Sequence, residues 1–170
     1  MNEAETTAFL SRLSFEEIYD QYATDILRVA HFYLKDQQKA EDVCQETFVK
    51  LISKNPNIEA GKEKTWLLKV AINQCRDMLK SSWNKRIELG DEQLSNIPAP
   101  SNESSELHEE LIIAIQKLPA KFKEIIILYY YQGYGIAEIS HILSISIGTV
   151  SSRMARARAK LHEMLGGKEQ

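Results

Sequence analysis

The amino-acid sequence predicts an all-α protein of two small helical domains joined by a flexible acidic linker, with a helix-turn-helix in the C-terminal domain. Three observations support this fold class. Glycine and proline are scarce, with 7 and 4 among 170 residues, which is typical of helical chains. Apolar residues recur at helical spacing through most segments. The third observation is that charge changes abruptly along the chain.

Charged residues divide the chain into three parts. Residues 1–86 carry 13 acidic and 13 basic side chains, residues 87–110 carry 7 acidic and none basic, and residues 111–170 carry 4 acidic and 8 basic. A neutral block, an acidic bridge and a basic block indicate two domains with a linker. We therefore predict domains at 1–86 and 107–170. The linker at 87–106 is rich in Pro, Ser, Asn and acidic residues.

Two amphipathic helices are predicted before residue 55. Ser14 and Glu17 have the spacing of a capping box at the start of the first helix. After a short break, the second helix covers about 38–54. Helical spacing places Tyr19 on the inward face of the first helix and Ile52 on that of the second.

The second helix carries an acidic patch opposite its apolar stripe. Glu41, Asp42, Gln45 and Glu46 share this face. Like charges four residues apart, such as Asp42 and Glu46, destabilise an isolated helix by about 0.2–0.5 kcal/mol. A basic partner would explain why the sequence accepts this cost, and an ordinary solvated face is the alternative. Acid–base catalysis is disfavoured, because a fully exposed patch has no burial to shift a pKa.

A polar loop and a long helix follow. The loop covers about 55–62, and the helix runs from about Glu63 to Lys85. One stripe of this region combines basic, amide and aromatic side chains, which suits phosphate contacts and base stacking or edge reading. Its members are Lys62, Trp66, Lys69, Asn73, Arg76 and Lys80. Trp66 fits a core position equally well.

The C-terminal half begins with a helix from about Ser105 to Pro119. The apolar run that follows could form a strand, but Phe122, Ile125 and Tyr129 also fit helical spacing. We therefore predict a buried helix there. It would support the segment that follows it.

Residues 135–165 have the sequence form of a helix-turn-helix. A short helix at 136–143 is followed by a turn at 144–146, where Ser146 is a candidate N-cap. The second helix then runs toward Leu165. Four basic and no acidic side chains lie between Ile147 and Lys160, which is a phosphate-binding pattern. For this helix alone, a solvated basic face is the alternative.

Other functional classes lack support in the sequence. Cys44 and Cys75 lie in apolar helical patterns without C-x-x-C spacing, so we expect buried, reduced thiols. The four histidines are scattered, and no Gly-rich phosphate loop or nucleophile motif occurs. We therefore predict no catalytic residue, no cofactor and no metal site. No apolar run approaches the roughly 18 residues of a membrane span, and no signal peptide is evident, so a cytoplasmic protein is expected.

Four motifs in order give the chain a family resemblance. They are AEDVCQETF (40–48), TWLLKVAINQCRDMLK (65–80), LPAKFKEIIIL (118–128) and EISHILSISIGTVSSRMARARAKL (138–161). Together they resemble the extracytoplasmic-function (ECF) sigma factors, the two-domain specificity subunits of bacterial RNA polymerase. The resemblance covers about 15–165. It implies a protein that directs core polymerase to promoters and assists their opening, without chemistry of its own.

The resemblance also implies roles for three sets of residues. The acidic patch would dock on the clamp coiled coil of the largest polymerase subunit. The loop and long helix would melt and read the −10 element and capture an unpaired base, through Asn55, Asn57, Lys62, Lys64, Trp66, Lys69, Asn73, Arg76 and Lys80. The second helix of the helix-turn-helix would read the −35 element as duplex, through Thr149, Ser151, Ser152, Arg153, Arg156 and Lys160.

Regulation and two departures from the family pattern complete these expectations. The resemblance implies a monomer when free and control by an anti-sigma factor, often membrane-tethered. Ser151 stands where family members commonly carry a basic residue, so base choice would depend on Arg156 and on DNA shape. The loop at 55–64 lacks aromatic residues, so a base pocket would rest on polar groups and Ile58. A dimeric regulator that binds a palindromic duplex unaided is the alternative function.

Overall fold

Helices account for most of the chain in the computed structural model, which describes the backbone of residues 13–89 and 106–166 and the side chains of 13–81 and 108–166. Seven α-helices and one π-helix lie in these ranges, which contain no strand. The all-α prediction is confirmed. The chain divides into two compact units, the first ending at Cys75 and the second beginning at Arg76. The domain and linker boundaries proposed from charge stay a prediction.

The first unit is built on three helices, α1 (Phe15–Leu34), α2 (Gln37–Lys54) and α3 (Glu63–Leu89), the last of which continues into the second unit. The predicted capping box at the start of α1 is present. Ser14 Oγ accepts from the backbone N–H of Glu17 at 3.2 Å, and the carboxylate of Glu17 accepts from the N–H of Ser14 at 2.8 Å. Asp36 caps α2, and Asn55 ends it in the left-handed region at φ 39°. Side-chain caps thus define where α1 and α2 begin.

Two residues predicted to face inward in the first unit are exposed. Tyr19 is 46% exposed and Ile52 61% exposed. The Tyr19 ring lies edge-on against Phe48, with centroids 4.9 Å apart, so it covers the margin of the core without entering it. Ile52 lies in the last turn of α2, directly after the buried Leu51. Both predictions were wrong because periodicity does not report where a core stops.

Helix α3 is longer than predicted. It begins at Glu63 as expected but ends at Leu89 instead of Lys85. Its last three residues therefore belong to the segment predicted to be linker. Residues 90–105 of that segment lie outside the described ranges.

The second unit contains α4 (Glu106–Lys117), α5 (Ala120–Ile126), a π-helix (Ile127–Tyr131), α6 (Ile136–Leu143) and α7 (Ile147–Gly166). Its core combines fully buried aliphatic side chains from α4 to α7 and the π-helix. They include Ile115, Ile125, Leu128, Ile139, Ile142 and Val150. The helix-turn-helix α6–α7 therefore packs against the apolar run for which a buried helix was predicted.

That apolar run is helical, as predicted, but its second half is a π-helix. Widened turns are shown by the N–H of Gln132, which donates to the carbonyl of Ile127 at 3.1 Å. Gly133 then adopts φ 74°, a conformation that favours glycine. Since π-helices often occur at functional sites, we note that Tyr130 and Tyr131 are exposed here.

The turn of the helix-turn-helix has the predicted geometry. Ser146 Oγ accepts from the N–H of Thr149 at 3.1 Å and lies 2.7 Å from Thr149 Oγ1. Ser144 ends α6 with a left-handed φ of 56°. Because the cap and the turn set where α7 starts, they also set which side chains of α7 face outward.

Both cysteines are buried free thiols, as predicted. Cys44 lies within 3.6 Å of the carbonyl of Ala23 and donates to it, and burial raises the pKa of its thiol. In the described ranges, no helix combines the length and apolarity needed to cross a membrane.

Candidate functional site

The acidic patch forms an exposed face of α2. Glu41, Asp42, Gln45 and Glu46 are all exposed, while the opposite face of the helix is buried in the first unit. Gln37 Nε2 donates to Glu41 Oε1 at 3.1 Å. None of the three carboxylates forms an ion pair with a side chain in the described ranges. The face therefore presents uncompensated negative charge to solvent.

Two apolar side chains continue this face toward the end of α2. Val49 and Ile52 lie seven residues after Asp42 and Gln45, which places each pair on the same side of the helix. Val49 is 53% exposed, and Ile52 is exposed further still. An acidic surface bordered by apolar side chains combines the elements of a protein-binding interface.

A cavity of about 300 Å³ lies beside the loop that follows α2. The loop supplies Asn55, Pro56 and Ile58 to its wall, and α3 supplies Glu63. The start of α1 supplies Phe15. The loop itself contains no aromatic residue. Phe15, some 40 residues away in sequence, reaches the cavity because α1 packs on α2.

The side chains of the basic stripe on α3 and its loop are only partly exposed to solvent. Lys62, Asn73 and Lys80 are exposed, as is Asn57 in the loop, and Trp66 and Lys69 are half-buried. Lys64 forms an ion pair with Asp25 of α1, Nζ to Oδ2 3.3 Å.

Arg76 is bound to a carboxylate that the sequence analysis did not single out. Glu124 of α5 is 1% exposed, and its two oxygens accept from Arg76 Nε at 2.9 Å and Nη2 at 2.5 Å. Arg153 Nη1 of α7 lies 3.9 Å from the same carboxylate. Two of the predicted DNA contacts are thus partners of one buried acid inside the second unit. A lone glutamate within an apolar run was the available sequence signal.

The outer face of α7 presents a mixed hydroxyl and basic surface. Ser151, Ser152 and Arg156 are exposed there. Thr149 takes part in the cap with Ser146. Lys160 lies with its Nζ 5.9 Å from the centroid of the Phe122 ring. Of the predicted contacts on α7, Ser151, Ser152, Arg156 and Lys160 are therefore exposed to solvent.

Arg158, by contrast, is held against the second unit. Its Nε donates to Tyr130 Oη at 2.9 Å, and its Cζ lies 5.7 Å from the ring centroids of both Tyr129 and Tyr130. Arg156 makes no such contact with any described residue. Two arginines on one helix therefore have different surroundings.

No cluster of three or more His, Cys, Asp or Glu side chains that could hold a metal ion occurs in the described part of the chain. The described residues offer charged and hydroxyl binding surfaces and a small cavity.

Comparisons with known proteins match both units to one family. Residues 18–85 match the family model for Sigma-70 region 2, and residues 108–161 match that for Sigma-70 region 4. The chain is 31% identical over 158 residues to ECF RNA polymerase sigma factor SigE of Mycolicibacterium smegmatis, covering 89% of this chain but only 62% of that protein. It is 30% identical over 154 residues to ECF RNA polymerase sigma factor SigM of Bacillus subtilis, covering 88% of this chain and 93% of that protein.

A solved structure shares the fold of this chain. It is the sigma factor RpoE of Bartonella quintana, crystallised in complex with the anti-sigma factor NepR. The TM-score is 0.78 at 25% identity, with 91% of this chain and 98% of that chain covered. CnrH, solved in complex with the cytosolic domain of CnrY, shares the fold with a TM-score of 0.66 at 22% identity, over 91% of this chain and 89% of that chain.

Proposed function

The chain belongs to the ECF RNA polymerase sigma factors, and on that premise we propose that it directs core polymerase to specific promoters and assists their opening. The observation that supports this most strongly is the pair of exposed surfaces, an acidic one on α2 and a basic one on α7. We further propose that it acts in the cytoplasm, as a binding protein without a reaction of its own.

The acidic face of α2 is proposed to bind the clamp coiled coil of the largest polymerase subunit. The unpaired carboxylates Glu41, Asp42 and Glu46 complement a basic partner. Val49 and Ile52 extend the contact with apolar area. A fully desolvated centre with a charged margin is the usual anatomy of such interfaces.

The loop after α2 and the exposed stripe of α3 are proposed to bind the melted −10 element. Lys62 and Lys80 supply charge for phosphates, and Asn55 and Asn57 supply amide groups for base edges. The adjacent cavity can accept one unstacked base, whose removal from the stack costs a few kcal/mol. Lys64 and Arg76 contribute only if they leave Asp25 and Glu124.

The −35 element is proposed to lie against the outer face of α7. Small and hydroxyl side chains at 151 and 152 allow the helix to approach the floor of the major groove. Arg156 is the exposed cation best placed to reach base edges. This half of the reader therefore binds intact duplex, while the first half binds melted DNA.

Control by an anti-sigma factor is proposed from the likeness to the RpoE of the complex with NepR. Such a partner would cover polymerase- or DNA-binding faces of the chain. The free protein is proposed to be a monomer.

Transcription with purified components tests the proposed function. The protein, core RNA polymerase and a library of promoter fragments are mixed, and the transcripts are sequenced. We expect initiation that needs both the protein and the polymerase, from promoters that share two asymmetric elements. Binding to a palindromic duplex by a dimer without polymerase, and no initiation with it, would contradict the proposal.

Arg156→Ala should weaken binding to the selected −35 duplex by about 1–3 kcal/mol if the guanidinium reads a base. Arg158→Ala is the matched control, since it removes the same charge from the same helix but from a side chain held by Tyr130. We expect this control to lower the affinity less, because it removes only a positive charge whose attraction to DNA is screened by solvent. Fluorescence anisotropy with the cognate and a scrambled duplex measures both. An equal loss for Arg156→Ala on both duplexes would identify a phosphate contact instead.

A further inference from the structure

The cavity beside the loop after α2 contains one charged side chain. Glu63, the first residue of α3, is 6% exposed and lines the cavity together with Phe15 and Asn55. The remaining wall is apolar and comprises Leu13, Ile18, Leu51, Ile52, Pro56 and Ile58. A carboxylate in such surroundings is costly unless its oxygens are hydrogen-bonded.

The carboxylate of Glu63 lacks a partner among the described residues, where it forms neither a hydrogen bond nor an ion pair. No described side-chain oxygen that is sealed from solvent is left unpaired, so the oxygens of Glu63 keep some solvent contact, and the cavity supplies it. Lys64 does not neutralise Glu63, because its ammonium pairs with Asp25. The cavity thus contains a hydrogen-bond acceptor that has no donor among the described residues.

The charge of Glu63 is felt at the neighbouring helix α1. Burial raises the pKa of Tyr22 there, and the negative charges of Glu63 and then Asp25 raise it further. Glu63 therefore lies close enough to α1 to act electrostatically on a side chain there. An ionised carboxylate has acceptors only.

We propose that Glu63 selects which unstacked base enters this cavity, and that the selected base is guanine. The inference rests on the proposed function, in which this loop captures one unpaired base. Guanine presents two adjacent donors on its Watson–Crick edge, the ring N1–H and the exocyclic amino group, so both oxygens of one carboxylate are satisfied. Cytosine and adenine offer one amino donor beside a ring nitrogen whose lone pair faces the second oxygen. Thymine offers one N–H between two carbonyls.

The remaining wall suits the body of a base. The cavity lies at the lower end of the roughly 300–1,000 Å³ of small-ligand sites, which fits a single base. Phe15 provides an aromatic ring of the kind on which bases stack. Asn55 can donate to a carbonyl oxygen such as guanine O6. Glu63 therefore acts as the specificity-determining residue in a cavity whose other walls accept any base.

Short single-stranded oligonucleotides test the inference on the full-length chain. Each carries three thymidines on both sides of one variable base: guanine, hypoxanthine, cytosine, adenine or thymine. We expect guanine to bind about tenfold more tightly than thymine, as for a bidentate contact. Hypoxanthine lacks the exocyclic amino group and should lose most of this preference, a comparison that needs no protein variant.

Two variants then test whether Glu63 causes the preference for guanine. Glu63→Gln should remove the preference for guanine, since the amide presents one donor and one acceptor. Glu59→Gln, at an exposed position of the same loop, should retain it. Equal binding of all five oligonucleotides, no binding to any, or an unchanged preference in a folded Glu63→Gln variant would overturn the inference. Polymerase-dependent initiation retained alongside such a result would leave the proposed function standing.

Discussion

Asp42→Lys combined with Glu46→Lys is expected to lower the affinity for core RNA polymerase about 100-fold or more, because like charges brought together across an interface cost several kcal/mol. Both side chains are exposed and unpaired in the described ranges. The substitution replaces one like-charge pair at four-residue spacing by another, so the free energy of unfolding should change by less than about 0.5 kcal/mol. Surface plasmon resonance with immobilised core enzyme measures the affinity, and thermal unfolding measures the fold.

The matched control for this variant is Glu16→Lys with Asp20→Lys. These residues are also exposed, four apart and in the first unit, so the net charge changes equally on a different helix. Glu16 lies in the first turn of α1, where a lysine opposes the helix dipole, and a loss of about 0.3–1 kcal/mol in stability is expected. Core binding should stay within a fewfold of that of the unmodified protein. If both double variants bind equally well, α2 is not the docking surface and its acidic face is simply solvated.

Arg76→Ala is expected to destabilise the second unit. It leaves Glu124, with 1% of its side chain exposed, without its bidentate partner. Breaking a fully buried pair costs about 3–5 kcal/mol, and we expect about 2–3 kcal/mol here because 29% of the Arg76 side chain is exposed. Urea unfolding followed by circular dichroism measures the change. Lys80→Ala, exposed and four residues further along α3, should cost less than about 0.5 kcal/mol.

A double variant separates the ion pair from general damage. Arg76→Ala with Glu124→Leu removes both charges, and an apolar replacement of a buried pair is often close to neutral in stability. Recovery of most of the lost stability would show that the penalty of Arg76→Ala comes from a buried carboxylate that has lost its bidentate partner. The opposite pattern, unchanged stability in Arg76→Ala with a large loss of −10 DNA affinity, would make Arg76 primarily a DNA contact.

The Arg76–Glu124 pair changes the interpretation of two residues that the sequence assigned to DNA binding. Arg76 lies on the predicted stripe of α3 and Arg153 on α7, and the basic patterns together with the family resemblance assigned both to DNA. In the structure one buried carboxylate holds the first and lies near the second. Any contribution of Arg76 to DNA binding therefore includes the cost of leaving Glu124. Arg156 and Lys80 carry no such cost.

Local patterns were sufficient for much of the fold. The capping box of Ser14 and Glu17 and the serine cap at Ser146 each depend on atoms within three residues, and both were predicted where they occur. Helical periodicity placed α6 from Ile136 to Leu143. Such features depend on short-range hydrogen bonds and on side-chain spacing, which are properties of the sequence itself.

Where a core ends is not a local property. Tyr19 and Ile52 fit the apolar period of their helices and yet are exposed, because the packing surface opposite them stops. The π-helix at Ile127–Tyr131 likewise follows from how the apolar run packs and closes at Gly133, and its residues fit an ordinary helix equally well.

The sequence alone determined the all-α class, the helix-turn-helix, the acidic face of α2 and, through four ordered motifs, the family. These depend on periodicity, caps and charge, which are read within a few residues. Only the tertiary structure decided which charged side chains are available to bind a partner. It paired Lys64 with Asp25, Arg76 with Glu124 and Arg158 with Tyr130, and it left Arg156 exposed. It also placed Phe15 and Glu63 in one cavity, because partners far apart in sequence meet only when helices pack.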